Sequence, residues 1–223
     1  MENKKIKVLC LHGWGASPEI MQYQMKNFIN YFPEMTFTYL KGYTEIPMSK
    51  IPDQRMIEVS PNKKFYAWGD TTYTNITGEM DRSHLFEVFQ YLVDHINKEG
   101  PFDGILSFST AGLFNHAFFI ALSQGDLKDR LKVSPPKFAF FVNSNYLKSN
   151  QQMLTLPTIH IIGEKDILYS TSLMMSTSFV NPLMITVDEG HKFPRLTKIE
   201  IEKIRNYIQL ALTDGKVTIS PKL

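Results

Sequence analysis

Gly104-Ile105-Leu106-Ser107-Phe108-Ser109-Thr110-Ala111-Gly112 is the stretch on which the reading of this chain turns. An apolar run from Phe102 to Phe108 has the length and residue types of a short strand. It passes without a linker into a helical stretch from Thr110 to about Ser123. A serine at such a junction has two readings. It can cap the helix, because Ser and Thr accept hydrogen bonds from the free N–H groups of a first turn. It can also stand on a tight strand–turn–helix elbow that exposes its hydroxyl, as in the G-x-S-x-G pattern of nucleophilic serines. The elbow needs small residues two before and two after the serine, where the turn presses on neighbouring backbone. Here they are Ser107 and Ala111, small but not glycine.

Outward from this junction, strand-like and helix-like segments alternate. Ile6 to Leu11 is an apolar run that ends in His12-Gly13-Trp14-Gly15. Ser17-Pro18-Glu19 then starts a helix, with Ser as N-cap and Pro at the first helical position, expected to reach about Tyr31. Thr36 to Leu40 is a second strand. Between Asp81 and Lys98, residues Leu85, Val88, Phe89, Leu92, Val93 and Ile96 keep the spacing of one buried helical face. Phe138 to Val142, Thr158 to Ile162 and Leu183 to Val187 are further strands. A helical segment near Ser172 to Phe179 lies between the last two, and Ile199 to Leu212 closes the series. Six strands alternating with helices imply a mostly parallel sheet between two helical layers, an α/β fold with its chemistry beyond the carboxyl ends of the strands.

Residues 42–80 break the rhythm. They hold Pro47, Pro52, Pro61 and the aromatics Tyr43, Phe65, Tyr66, Trp68 and Tyr73. A connection this long is expected to be a lid-like insertion within a single domain spanning 1–223. Trp68 and Tyr73 are its candidate pocket residues, suited to an apolar acyl group. The tail from Thr213 is expected to be frayed.

Composition narrows the function. The net charge is +2, from 24 basic and 22 acidic residues, with no basic stripe, so nucleic acid is not an expected partner. The lone Cys10 allows no disulfide within the chain, which fits a reducing compartment. No apolar stretch approaches the ~18 residues of a membrane span. A cytoplasmic protein is expected; Pro221-Lys222-Leu223 departs from the peroxisomal Ser-Lys-Leu address at its first residue. The residues leave the oligomeric state open.

A serine nucleophile needs a base, and the base an orienting acid. Of the histidines after Ser109, His116 falls within a helix and His160 within a strand, where a core histidine is the better reading. His191 alone follows a strand end, in Asp188-Glu189-Gly190-His191-Lys192-Phe193-Pro194. For the acid, Asp166 stands just past the fifth strand; Glu164 at the same turn and Asp188 compete with it for the role. Oxyanion donors are expected from the backbone N–H groups of Thr110, after the serine, and Trp14, in the glycine-rich turn. The Trp14 indole reads equally as a pocket wall or as core. His12 reads as a partner that orients that turn.

Four stretches in order resemble one family, the FSH-type serine hydrolases, which have the α/β-hydrolase fold. They are Val8-Leu9-Cys10-Leu11-His12-Gly13-Trp14-Gly15, Gly100-Pro101-Phe102-Asp103-Gly104-Ile105-Leu106, Ile161-Ile162-Gly163-Glu164-Lys165-Asp166 and Glu189-Gly190-His191-Lys192-Phe193-Pro194. The resemblance spans about residues 6 to 212. It implies a three-layer α/β-hydrolase sandwich, with expected strand order 2-1-3-4-5-6. It also implies hydrolysis of carboxylic esters or thioesters without a cofactor, with Ser109 as nucleophile, Asp166 as acid and His191 as base. The chain departs from the family's Gly-Phe-Ser-Gln-Gly at the elbow. It also carries Asn143-Ser144-Asn145 where members have Ser-Gly-Phe.

Two rival readings remain at this level. A hydrolase fold impaired at its elbow would serve as a binding protein. A nucleotide-binding module would use Gly13-Trp14-Gly15-Ala16-Ser17-Pro18 as G-x-G-x-x-G, but Pro18 replaces the third glycine and no acid follows the second strand. The six histidines show no metal-ligand spacing.

Overall fold

A computed structural model describes residues 5–51, 53–69, 82–146 and 153–214. Residues 70–80 of the 42–80 segment, Tyr73 among them, and the tail from 215 onward lie outside the described residues.

The main sheet has six parallel strands: β1 (Ile6–Leu11), β2 (Met35–Leu40), β5 (Gly104–Phe108), β6 (Phe138–Val142), β7 (Thr158–Gly163) and β8 (Leu183–Val187). They lie in the order β2-β1-β5-β6-β7-β8, which is the expected 2-1-3-4-5-6 once the sheet strands are counted along the chain. Central strands β5, β6 and β7 are buried at every position, as strands covered on both faces must be. Along β1 the pleat sends Leu9 and Leu11 to one face and Val8 and Cys10 to the other. The Leu9 face packs under α3 (Arg82–Glu99) and α4 (Ala111–Gln124), through Val88, Leu92, Ile96 and Phe118. The Val8 face packs under α1 (Pro18–Met25) and α6 (Lys198–Asp214), through Met21, Met25, Ile204 and Ile208. The remaining described helix of the main fold, α5 (Tyr169–Ser176), follows β7.

Two expectations change. The first helix stops at Met25, and Phe28–Tyr31 is a separate 3-10 turn. The Asn30 side chain donates to the Lys26 carbonyl at 3.2 Å, an alternative to continued helical bonding that no glycine or proline announces. The segment after residue 42 is not irregular in its described part. It contains β3 (Thr44–Ile46) paired antiparallel with β4 (Phe65–Ala67), and between them a short helix, α2 (Gln54–Val59). Among the described residues no helix is long and apolar enough to cross a membrane.

Candidate active site

The carboxyl ends of β5, β7 and β8 bring Ser109, Asp166 and His191 together. Ser109 follows β5 directly and sits at φ +58°, the left-handed region that non-glycine residues seldom enter. Such strain persists only where the surroundings fix it. Here the Ser109 N–H donates to the Val142 carbonyl at 3.1 Å, and its carbonyl accepts from Gly112 at 3.1 Å and Asn145 at 3.0 Å. The elbow closes without the two flanking glycines. Ser107 is fully buried; its hydroxyl donates to the Phe140 carbonyl at 3.0 Å and accepts from the Asn115 amide at 3.2 Å. The glycine that close approach demands is one position later than the pattern has it. A Cβ on Gly112 would stand 2.3 Å from Ser144 Oγ and 2.5 Å from its Cβ.

His191 Nε2 lies 2.9 Å from Ser109 Oγ, and its Nδ1 lies 2.7 Å from Asp166 Oδ2. The network assigns the ring proton to Nδ1, which donates it in a hydrogen bond to the carboxylate, so Nε2 presents its lone pair to the serine hydroxyl. The Asp166 side chain is completely buried, and its Oδ1 accepts from the Leu168 N–H at 2.7 Å. Both carboxylate oxygens therefore have donors. The imidazole packs on the Phe108 ring at 4.9 Å between centroids, and Phe108 stacks in turn on Phe193. Of the two competing acids, Glu164 is exposed, and Asp188 forms a surface ion pair with Lys165 at 2.7 Å. His160 is buried in the sheet, stacked on Phe141 and bonded to Thr158 Oγ1. His116 is buried against Tyr146 and Phe179.

The loop after β1 faces the same site. Among the described residues, nothing accepts from the backbone N–H of Trp14 or of Thr110. The residues holding this loop come largely from the inserted segment. His12 is fully buried, with Nδ1 on the Gly13 carbonyl at 2.7 Å and Nε2 accepting from the Gly42 N–H at 2.9 Å. Burial lowers its pKa to about 4. The Trp68 indole N–H donates to the His12 carbonyl at 2.7 Å, and Trp68 is buried. β4 continues the support: Gly15 N–H donates to the Tyr66 carbonyl at 2.9 Å, and Tyr66 N–H to that of Ala16 at 2.8 Å. Trp14 packs against a small core of Ala16, Ile20, Ile46, Ile51, Phe65 and Ala67.

A hydroxyl bonded to an imidazole that is bonded to a buried carboxylate is a geometry suited to acyl transfer. The model of the family described as "Serine hydrolase (FSH1)" matches residues 1–202. The chain belongs to the FSH1 serine hydrolase family. Curated relatives include "Hydrolase phiM" from a fungal species, 25% identical over 220 residues, which cover 90% of this chain and 92% of the relative. An esterase of Caenorhabditis elegans is 25% identical, with 96% of each chain covered. Solved structures with the same fold include a Bacillus cereus carboxylesterase, with a TM-score of 0.57 at 16% identity, covering 94% of this chain and 90% of the other. SOBER1 of Arabidopsis thaliana has a TM-score of 0.52 at 15% identity, covering 94% of this chain and all of the other. As an FSH1-family serine hydrolase the chain is a hydrolytic enzyme on an α/β-hydrolase fold. Two contacts of this site have little or no signal in the sequence, although Trp68 is already a candidate pocket residue there. Asn143 is visible only as a departure from the family pattern, and the role of Trp68 beside His12 has no local signal.

Proposed function

We propose that this FSH1-family hydrolase cleaves small-molecule carboxylic esters or thioesters through an acyl-enzyme on Ser109, with His191 as base and Asp166 as its orienting acid. The observation that carries the reading is the continuous pair of hydrogen bonds at His191, 2.9 Å to Ser109 Oγ and 2.7 Å to Asp166 Oδ2. Ser109 Oγ attacks the carbonyl carbon as its proton passes to His191 Nε2. The carbonyl oxygen becomes an oxyanion and accepts from the N–H groups of Trp14 and Thr110. The C–O or C–S bond then breaks, and His191 returns the proton to the leaving alcohol or thiol. Water repeats the sequence and releases the acid. Asp166 stays ionised throughout and stabilises the imidazolium. The relatives called hydrolases and esterases support the ester class. A fluorophosphonate probe should label the wild-type protein and leave Ser109→Ala unlabelled. The same substitution should abolish turnover over p-nitrophenyl and CoA esters of varied chain length. Labelling that survives the substitution would sink the proposal.

A further inference from the structure

Asn143 directly follows β6 and bonds both the turn that carries Asp166 and the loop that carries His191. It is buried and adopts φ +46°, a conformation that asparagine tolerates better than most residues. Its Oδ1 accepts from the Gly163 N–H at 2.8 Å, where β7 gives way to the turn that carries Asp166. Its Nδ2 donates to the Lys192 carbonyl at 2.9 Å and approaches the Gly190 carbonyl at 3.4 Å. Those carbonyls flank His191 on both sides. Only the carboxamide offers one acceptor and two donors on one short planar group, so the three contacts fix which way it points.

The histidine loop is docked at this point by other contacts too. Lys192 N–H donates to the Gly190 carbonyl at 2.9 Å, so His191 stands at the tip of a three-residue turn. Lys165 N–H donates to the Glu189 carbonyl at 3.0 Å. Gly163 lets the loop lie against the strand end: a Cβ there would sit 2.4 Å from the Glu189 carbonyl oxygen and 3.0 Å from that of Gly190. Next in the chain, Ser144 abuts Gly112, and Asn145 N–H bonds the Ser109 carbonyl. One short segment therefore contacts the nucleophile turn, the acid turn and the base loop.

We propose that Asn143 is a positioning residue that sets the backbone on both sides of His191 and so aligns the imidazole between Asp166 and Ser109. The proposal rests on the acyl-enzyme reading above. It predicts a loss in kcat, because a displacement near 1 Å at a reacting group costs about 100-fold. Asn143→Ala should lower kcat by about 100-fold with KM changed less than threefold. Asn143→Asp should be at least as impaired, since it keeps the acceptor but turns a negative charge toward two carbonyl oxygens. A readout beyond activity is the deshielded proton of the His191 Nδ1–H···Asp166 bond in the NMR spectrum, which should broaden or vanish in both variants while the circular dichroism stays native. Should Asn143→Ala fail to fold, Asn143→Ser, the shorter neutral replacement, carries the same expectations. Variants with kcat within threefold of wild type and an unchanged proton resonance overturn the positioning role. Ser109→Ala separates the two claims: if it is inactive while Asn143→Ala is fully active, only the positioning role falls, and if Ser109→Ala turns over substrate, the acyl-enzyme reading falls first.

Discussion

The two sides of the site are built in different ways. Ser109, Asp166 and His191 each stand within four residues of the end of a parallel strand, on turns whose backbone bonds run mainly to neighbouring strand ends. The facing loop, His12 to Ala16, also leaves a strand end but is held from far along the chain, by Gly42, Tyr66 and Trp68. The proposed triad side chains are thus placed by the sheet, and the candidate oxyanion donors by the segment between β2 and α3. In the proposed reaction, the sheet side supplies groups that transfer or steer a proton, and the loop side depends on how firmly two N–H groups are aimed.

The largest expected effect lies on the sheet side. Asp166→Asn keeps the volume but offers the His191 Nδ1 a neutral partner and favours the wrong tautomer. Turnover of a p-nitrophenyl ester should fall by about 10⁴-fold, with unfolding midpoint little changed. Asp188→Asn is the contrast. Its carboxylate lies in an exposed ion pair with Lys165, and such pairs contribute about 0–1 kcal/mol, so kcat should stay within twofold. Comparable losses in both variants would mean that the carboxylate bonded to His191 has no special role.

How much of this is legible in the sequence follows the same division. Ser109, Asp166 and His191 can be read because each sits in a short motif at the end of a strand that its own apolar run announces. The six sheet strands are legible from their own apolar runs, whereas their order is what the family resemblance implies. Ser107 and Ala111 make the elbow look damaged, because the residues that complete it are distant: Phe140 and Asn115 bond the Ser107 hydroxyl, and Ser144 faces Gly112. The described part of the 42–80 segment reads as irregular because β3 and β4 are three residues each, and 18 residues separate Ile46 from Phe65. Pairing that short is decided by tertiary contacts, here the bridge between Ala16 and Tyr66, and not by periodicity.

Acid should weaken both sides, through histidines that the fold keeps neutral. Burial lowers the pKa of His12 and His116 to about 4; for His160, burial and then the nearby His116 lower it to about 3. In the unfolded chain each titrates near 6.5. Between these values the unfolded chain holds more protons, so stability is complete above about pH 6.5 and declines as pH falls toward 4. The slope is at most about 1.4 kcal/mol per pH unit for each histidine. Urea unfolding at pH 7 and pH 5 measures it. His160→Phe, which suits the stack on Phe141, should narrow the difference between the two pH values. An equal difference in the variant would remove His160 from the account.

Trp68→Phe is the smallest change and the one that separates two roles for the insertion. Phenylalanine retains most of the buried bulk and loses only the indole N–H bonded to the His12 carbonyl. One lost hydrogen bond of this kind costs about 1 kcal/mol. If Trp68 acts by steadying the loop that carries Trp14, kcat should fall about fivefold for every ester, because the oxyanion is the same whatever the acyl chain. If it instead forms a wall of the acyl site, short esters should keep their kcat while KM for long ones rises. The chain-length dependence of kcat and KM in this one variant therefore decides whether the insertion serves the reaction centre or the substrate tail. A uniform fall in kcat would tie the Trp68 bond to the His12 carbonyl, and with it this segment, to the transition state.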